Sequence, residues 1–101
     1  MNVSRRTTAK QTTIKLSGDI TIYQAAEAKG SLLATQTGLD RKVVLNLEQV
    51  EELDTAGVQI LMMLQRLVSQ QGGEMQTSAI SESAEQVLSA LHCLERFNVK
   101  D

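Results

Sequence analysis

A single α/β domain built on a mainly parallel sheet is the fold class this chain predicts, and three observations carry the reading. Short stretches at Thr12–Leu16 and Val43–Leu47 show the alternating and the continuous apolar patterns of strands. Between and after them, apolar residues recur at helical spacing, most clearly from Ala56 to Gln71. The 101 residues hold no proline, no low-complexity run and no internal repeat that would mark a linker. Alternating strands and helices in one unit imply a sheet joined by right-handed crossovers.

Taken in order, residues 1–11 are polar and carry Arg5, Arg6 and Lys10, so they read as a flexible N-terminal tail, with the folded domain at 12–101. No apolar stretch follows these charges, which excludes a secretory signal. Thr12-Thr13-Ile14-Lys15-Leu16 alternates as a half-buried strand does. Ser17-Gly18-Asp19 is expected to interrupt it, and Ile20-Thr21-Ile22 to form a second short strand. From Tyr23 to about Gln36 the residues favour helix, with Ala25, Ala28 and Leu32 on one face and Gly38 as the stop. Val43-Val44-Leu45-Asn46-Leu47 is apolar enough for a central strand covered on both sides. A turn bearing Glu48, Glu51, Glu52 and Asp54 is expected next, then a helix from about Ala56 to Gln71, ended by Gly72-Gly73. Met75–Ile80 reads as a weaker strand, and Ser81–Ser83 open a last helix with Ala84, Val87, Leu88 and Leu91 at helical spacing.

Composition narrows the function. A hydrophobic content of 42% fits a soluble globule whose core is aliphatic, because Tyr23 and Phe97 are the only aromatic residues. Net charge is −2, so there is neither the basic footprint nor the stacking platform of a nucleic-acid binder. No apolar run approaches the roughly 20 residues that span a bilayer, which argues against membrane insertion. The single cysteine, Cys93, excludes an internal disulfide and suits a reducing compartment, so the expected location is cytoplasmic.

Catalytic chemistry lacks its parts. His92 and Cys93 are adjacent, and helical neighbours point about 100° apart, which does not make a Cys–His pair. They read instead as a rim imidazole and a half-buried thiol. Zinc would need two further ligands nearby, and neither phosphate-binding glycine motif occurs, so no metal, no cofactor and no enzymatic activity are expected.

Glu51-Glu52-Leu53-Asp54-Thr55-Ala56-Gly57-Val58 carries the functional signal. It sets a hydroxyl between an acidic cluster and the start of a long apolar helix, where backbone N–H groups lack partners and carry partial positive charge. Thr55 can cap that helix or hold a phosphate there. Together with Val43–Leu47 and Val50, the run Leu53-Asp54-Thr55-Ala56-Gly57-Val58 resembles the signature of STAS domains, typified by bacterial anti-sigma factor antagonists. Leu16-Ser17-Gly18-Asp19-Ile20 is similar to that family's Gly-Glu-Leu-Asp turn, one residue shorter, and Ser81 through Phe97 to its closing helix.

The resemblance implies a four- or five-stranded sheet flanked by helices. It implies further that Thr55 is phosphorylated by an anti-sigma kinase and dephosphorylated by a PP2C-type phosphatase, with Asp54 its acidic neighbour and Asp19 in the loop beside it. Such a protein is a partner-switching signal-transduction component that acts on transcription by docking to an anti-sigma factor or Ser/Thr kinase. Thr55 replaces the family's commoner Ser, and Asn46 stands where it usually has Asp. The Asp-Thr-Ala-Gly form also resembles STAS subunits of lipid-transport ABC complexes, which would dock the same face on an ABC ATPase.

On a helical wheel, Gly57, Ile60, Leu61, Leu64, Leu67 and Val68 fall in an arc of about 120°, an ordinary core stripe. Val58 and Met62 fall outside it, on the side of Thr55. They either pack beneath a neighbouring element or form an apolar docking strip; the strip is the expectation, so the expected docking residues are Asp19, Asp54, Thr55, Ala56, Gly57, Val58 and Met62.

Overall fold

The computed structural model describes residues 1–34 and 37–99. Four strands and three helices follow one another along them: β1 (Asn2–Thr7), β2 (Gln11–Ile20), α1 (Ala25–Ala34), β3 (Lys42–Leu53), α2 (Thr55–Gln70), β4 (Glu74–Ile80) and α3 (Glu82–Ala90). The sheet order is β1-β2-β3-β4, antiparallel between β1 and β2 and parallel across the other two pairs. This is the α/β fold read from the sequence, with a mixed four-stranded sheet.

Residues 2–7, expected in a flexible tail, form an edge strand instead. Thr8 turns the chain, its N–H and hydroxyl both donating to the Gln11 carbonyl at 2.8 and 3.1 Å, and Thr7 then pairs with Thr12. Met1 and Val3 pack against the core, while the charges of Arg5 and Arg6 guard an unpaired edge. An edge strand needs few apolar residues, which is why its polar sequence passes for a tail.

Ser17-Gly18-Asp19 does not interrupt β2. The strand passes through it with register shifts at Lys15/Ser17 and Gly18/Asp19, and Gly18 takes the shift at φ +84°. Thr21 and Ile22 are therefore not a second strand: residues 21–24 form a turn in which Gln24 N–H donates to the Thr21 carbonyl at 2.9 Å. α1 accordingly begins at Ala25, and its expected end at Gln36 lies outside the described residues. β3 likewise runs on to Leu53, so Glu48, Glu51 and Glu52 sit on a strand and not on a turn.

One core cluster joins Ile14, Leu16 and Ile20 of β2, Val43, Leu45 and Leu47 of β3, and the apolar sides of all three helices. Val43, Val44 and Leu45 are consecutively buried, as a strand covered on both sides requires. The polar exceptions are satisfied: Thr12 donates to the Gly38 carbonyl at 2.8 Å and Thr77 to that of Phe97 at 2.9 Å. The second bond and a parallel bridge between Thr77 and Val99 pin the C-terminal turn, so that Phe97 fills the core completely. His92, at φ 57°, and Cys93 lie just past α3; the N–H of Cys93 closes that helix on the Leu88 carbonyl at 2.7 Å.

Candidate functional site

Where β3 ends, α2 begins, and Asp54 joins the two. Its backbone is extended, and Oδ1 accepts the Gly57 N–H at 3.0 Å, the bond of an N-cap. Oδ2 accepts the Ile22 N–H at 2.9 Å, so the same carboxylate fastens the turn after β2. The Gly57 bond is the largest influence and favours the ionised form; desolvation, next in size, opposes it, and the Ile22 bond adds to the lowering, so that Asp54 lies below the ordinary carboxylate range.

Sequence left open whether Thr55 caps α2. Asp54 is the cap. Thr55, the first helical residue, is exposed, and its hydroxyl makes no hydrogen bond among the described residues. Ala56 beside it is half-buried. Gly57 is buried against the end of β2, where an added Cβ would stand 2.1 Å from the Ile20 carbonyl oxygen and 2.6 Å from a Leu53 methyl. Within Asp-Thr-Ala-Gly, then, Asp54 caps, Gly57 permits the close approach, and the Thr55 hydroxyl stands exposed with no bond among the described residues.

The expected strip is not on the surface. Val58 is 3% exposed and belongs to the core, and Met62 is half-buried against it. A wheel of α2 alone cannot show this, because α2 packs both on the sheet and on α1, which widens its covered arc. The apolar surface beside Thr55 comes from the turn instead: Ile22 is 67% exposed and Tyr23 91%. Sequence reasoning missed both by placing Ile22 on a strand and Tyr23 on a helix. The available signal was that neither fits the buried face of Ala28 and Leu32.

Acidic groups border the same corner. Asp19 stands opposite Glu52 in the β2–β3 register, and neither they nor Glu51 meet a cation among the described residues. Asn46 serves the strand: its Oδ1 accepts the Glu48 N–H at 2.9 Å. No group of three His, Cys, Asp or Glu side chains with metal-binding geometry occurs among the described residues. The corner lies at the carboxyl ends of β2 and β3, where open α/β sheets commonly place their binding sites.

Comparison with known proteins meets this geometry. The family model described as "Mlab, STAS domain" matches residues 3–95. An anti-sigma factor antagonist from Mycobacterium paratuberculosis superposes with a TM-score of 0.80 at 16% identity, covering 97% of this chain and 83% of that one. The anti-sigma factor antagonist SpoIIAA in its unphosphorylated form gives 0.73 at 15% identity, covering 99% and 87%. A sulfate transporter family protein from Wolinella succinogenes gives 0.71 at 18%, covering 93% and 79%. At these identities the superpositions speak for a shared fold.

Proposed function

The chain belongs to the STAS domain family, and from that premise we propose that it is a non-catalytic regulatory switch of the anti-sigma factor antagonist type. It docks to an anti-sigma factor, Ser/Thr kinase or related regulator in the cytoplasm through Ile22, Tyr23, Asp19, Asp54, Thr55 and Ala56, with Gly57, Val58 and Met62 supporting that surface from beneath. Phosphorylation of Thr55 by the kinase turns docking off, and a PP2C-type phosphatase restores it.

One observation carries the reading: an exposed, unbonded hydroxyl stands at the start of α2 beside two apolar side chains in water. The anti-sigma factor antagonists of the same fold support the partner class, and the naming of SpoIIAA by its unphosphorylated form supports the modification. A phosphate adds about −1.5 to −2 charges near neutral pH. Asp54 already occupies the Gly57 N–H, so the phosphate gains little from the helix end, about 0.3–1 kcal/mol. It would sit among Asp54, Asp19, Glu51 and Glu52. The fold tolerates that charge in water; a partner that must bury it against Ile22 and Tyr23 does not. Thr55→Glu should abolish capture of a partner that wild type and Thr55→Ala retain. Equal capture by Thr55→Glu would refute the switch.

A second reading is a STAS subunit docked permanently on an ABC ATPase through the same corner. The Asp-Thr-Ala-Gly sequence favours it, as does the Mlab description of the matching family. No described helix is long and apolar enough to cross a membrane. A Thr55-dependent shifted band on a phosphate-affinity gel selects the switch; constitutive co-purification with an ATPase and no such band selects the subunit.

A further inference from the structure

Toward the other end of α2 lies a groove of about 910 Å³ that shares only Met62 with the residues assigned to the Thr55 corner. Arg41 and Lys42, where the chain enters β3, line it together with Arg66 of α2 and Arg96 of the turn after α3; Glu74 is its only acid among the described residues. Four of the ten Lys and Arg residues of a chain with net charge −2 thus converge on one concave space from three separate segments. We propose that this groove binds a small phosphate-bearing polyanion.

The state of each cation supports that ligand class. Lys42 and Arg66 are exposed and make no hydrogen bond or ion pair among the described residues. Arg96 spends only its Nε, on the Gln65 side chain at 3.2 Å. Arg41 is held by Asp40 at 3.0 Å and by the Thr8 carbonyl at 2.7 Å, which fixes its position while leaving guanidinium N–H groups available. Guanidinium forks match phosphate oxygens two at a time, and an adjacent ammonium adds a point charge.

The helix dipole does not explain the cluster. The last turn of α2 carries no cation, and its terminal carbonyls already accept from the N–H groups of Gln71, Gly72 and Gly73. Size favours a small ligand over a protein segment: Val68 and Met75 of the lining are buried, Lys42, Arg66 and Arg96 are exposed, and the volume is that of ordinary small-molecule sites. Thr55 lies about 16 Å away along α2, from eleven residues at 1.5 Å each, so the site is separate from the proposed switch.

Inorganic tripolyphosphate is the probe, titrated at low salt into the isotope-labelled full chain while amide shifts are followed. Saturable shifts are expected at residues 41–42, 66–74 and 96–98, weakening as salt rises. Lys42→Gln combined with Arg66→Gln should weaken the affinity at least tenfold; neither side chain bonds to another of the described residues, so the dispersed spectrum of the free chain should persist. Unchanged affinity in that variant, shifts centred on residues 54–58, or no saturation at millimolar probe would overturn the site. So would tighter binding of a poly-glutamate peptide, which would make the groove a surface for an acidic protein.

Discussion

Asp54 illustrates how one side chain sets the geometry of its neighbours. Its two oxygens accept from Gly57 and Ile22, so replacing it with Ala removes a helix cap and the tie to the turn at once. Asp54→Ala should cost about 1–2 kcal/mol in denaturant unfolding. Asp54→Asn keeps a good cap and loses only the charge, which isolates the pH dependence. The folded carboxyl titrates below its unfolded value, so its contribution is complete above the unfolded pKa and drains as pH falls through the lowered one. The stability gap between wild type and Asp54→Asn should therefore be open at neutral pH and narrow as pH falls below the ordinary carboxylate range; a gap that widens in acid would contradict the assignment. Gly57→Ala should destabilise by about 1–3 kcal/mol, the scale of overpacking against a fixed carbonyl, and thermal melts read it directly. The Asp-Thr-Ala-Gly string located these residues in the sequence. It could not divide their roles, because whether Thr55 or Asp54 caps depends on where the chain turns into the helix.

Ile22 and Tyr23 belong to the scale of the element. The turn at residues 21–24 is closed by Thr21 and Gln24, whose side chains also bond to each other, and is tied to Asp54; the two apolar residues between face water. Ile22→Ser with Tyr23→Ser should leave the melting temperature nearly unchanged and weaken partner binding at least tenfold, about 1.4 kcal/mol. Equal binding, measured by calorimetry on the captured partner, would remove this turn from the interface. Elements with strong periodicity were legible: α2, β4, α3 and the first half of β3 lie within a residue or two of where apolar spacing puts them. Three features were not, each for a physical reason. β1 is held by pairing with β2 more than by its own pattern; the β2 bulge disguises a continuous strand as a turn; and the second covered side of α2, which buries Val58, is supplied by α1.

Across the whole molecule, charge and apolar surface are divided between the two ends of α2. The Thr55 end gathers Asp19, Glu51, Glu52 and Asp54 around Ile22 and Tyr23, and the other end gathers Arg41, Lys42, Arg66 and Arg96. The core between them is continuous, so a charge added at Thr55 meets a rigid helix start whose cap is already made. A switch of this kind works through what a partner must bury, without a change of fold. The most direct test is quantitative affinity capture from the protein's own cells, with wild type, Thr55→Ala and Thr55→Glu as bait. A regulator held by the first two and lost with Thr55→Glu, whose melting temperature stays that of wild type, is the predicted result. A regulator held equally by all three would contradict a switch at Thr55.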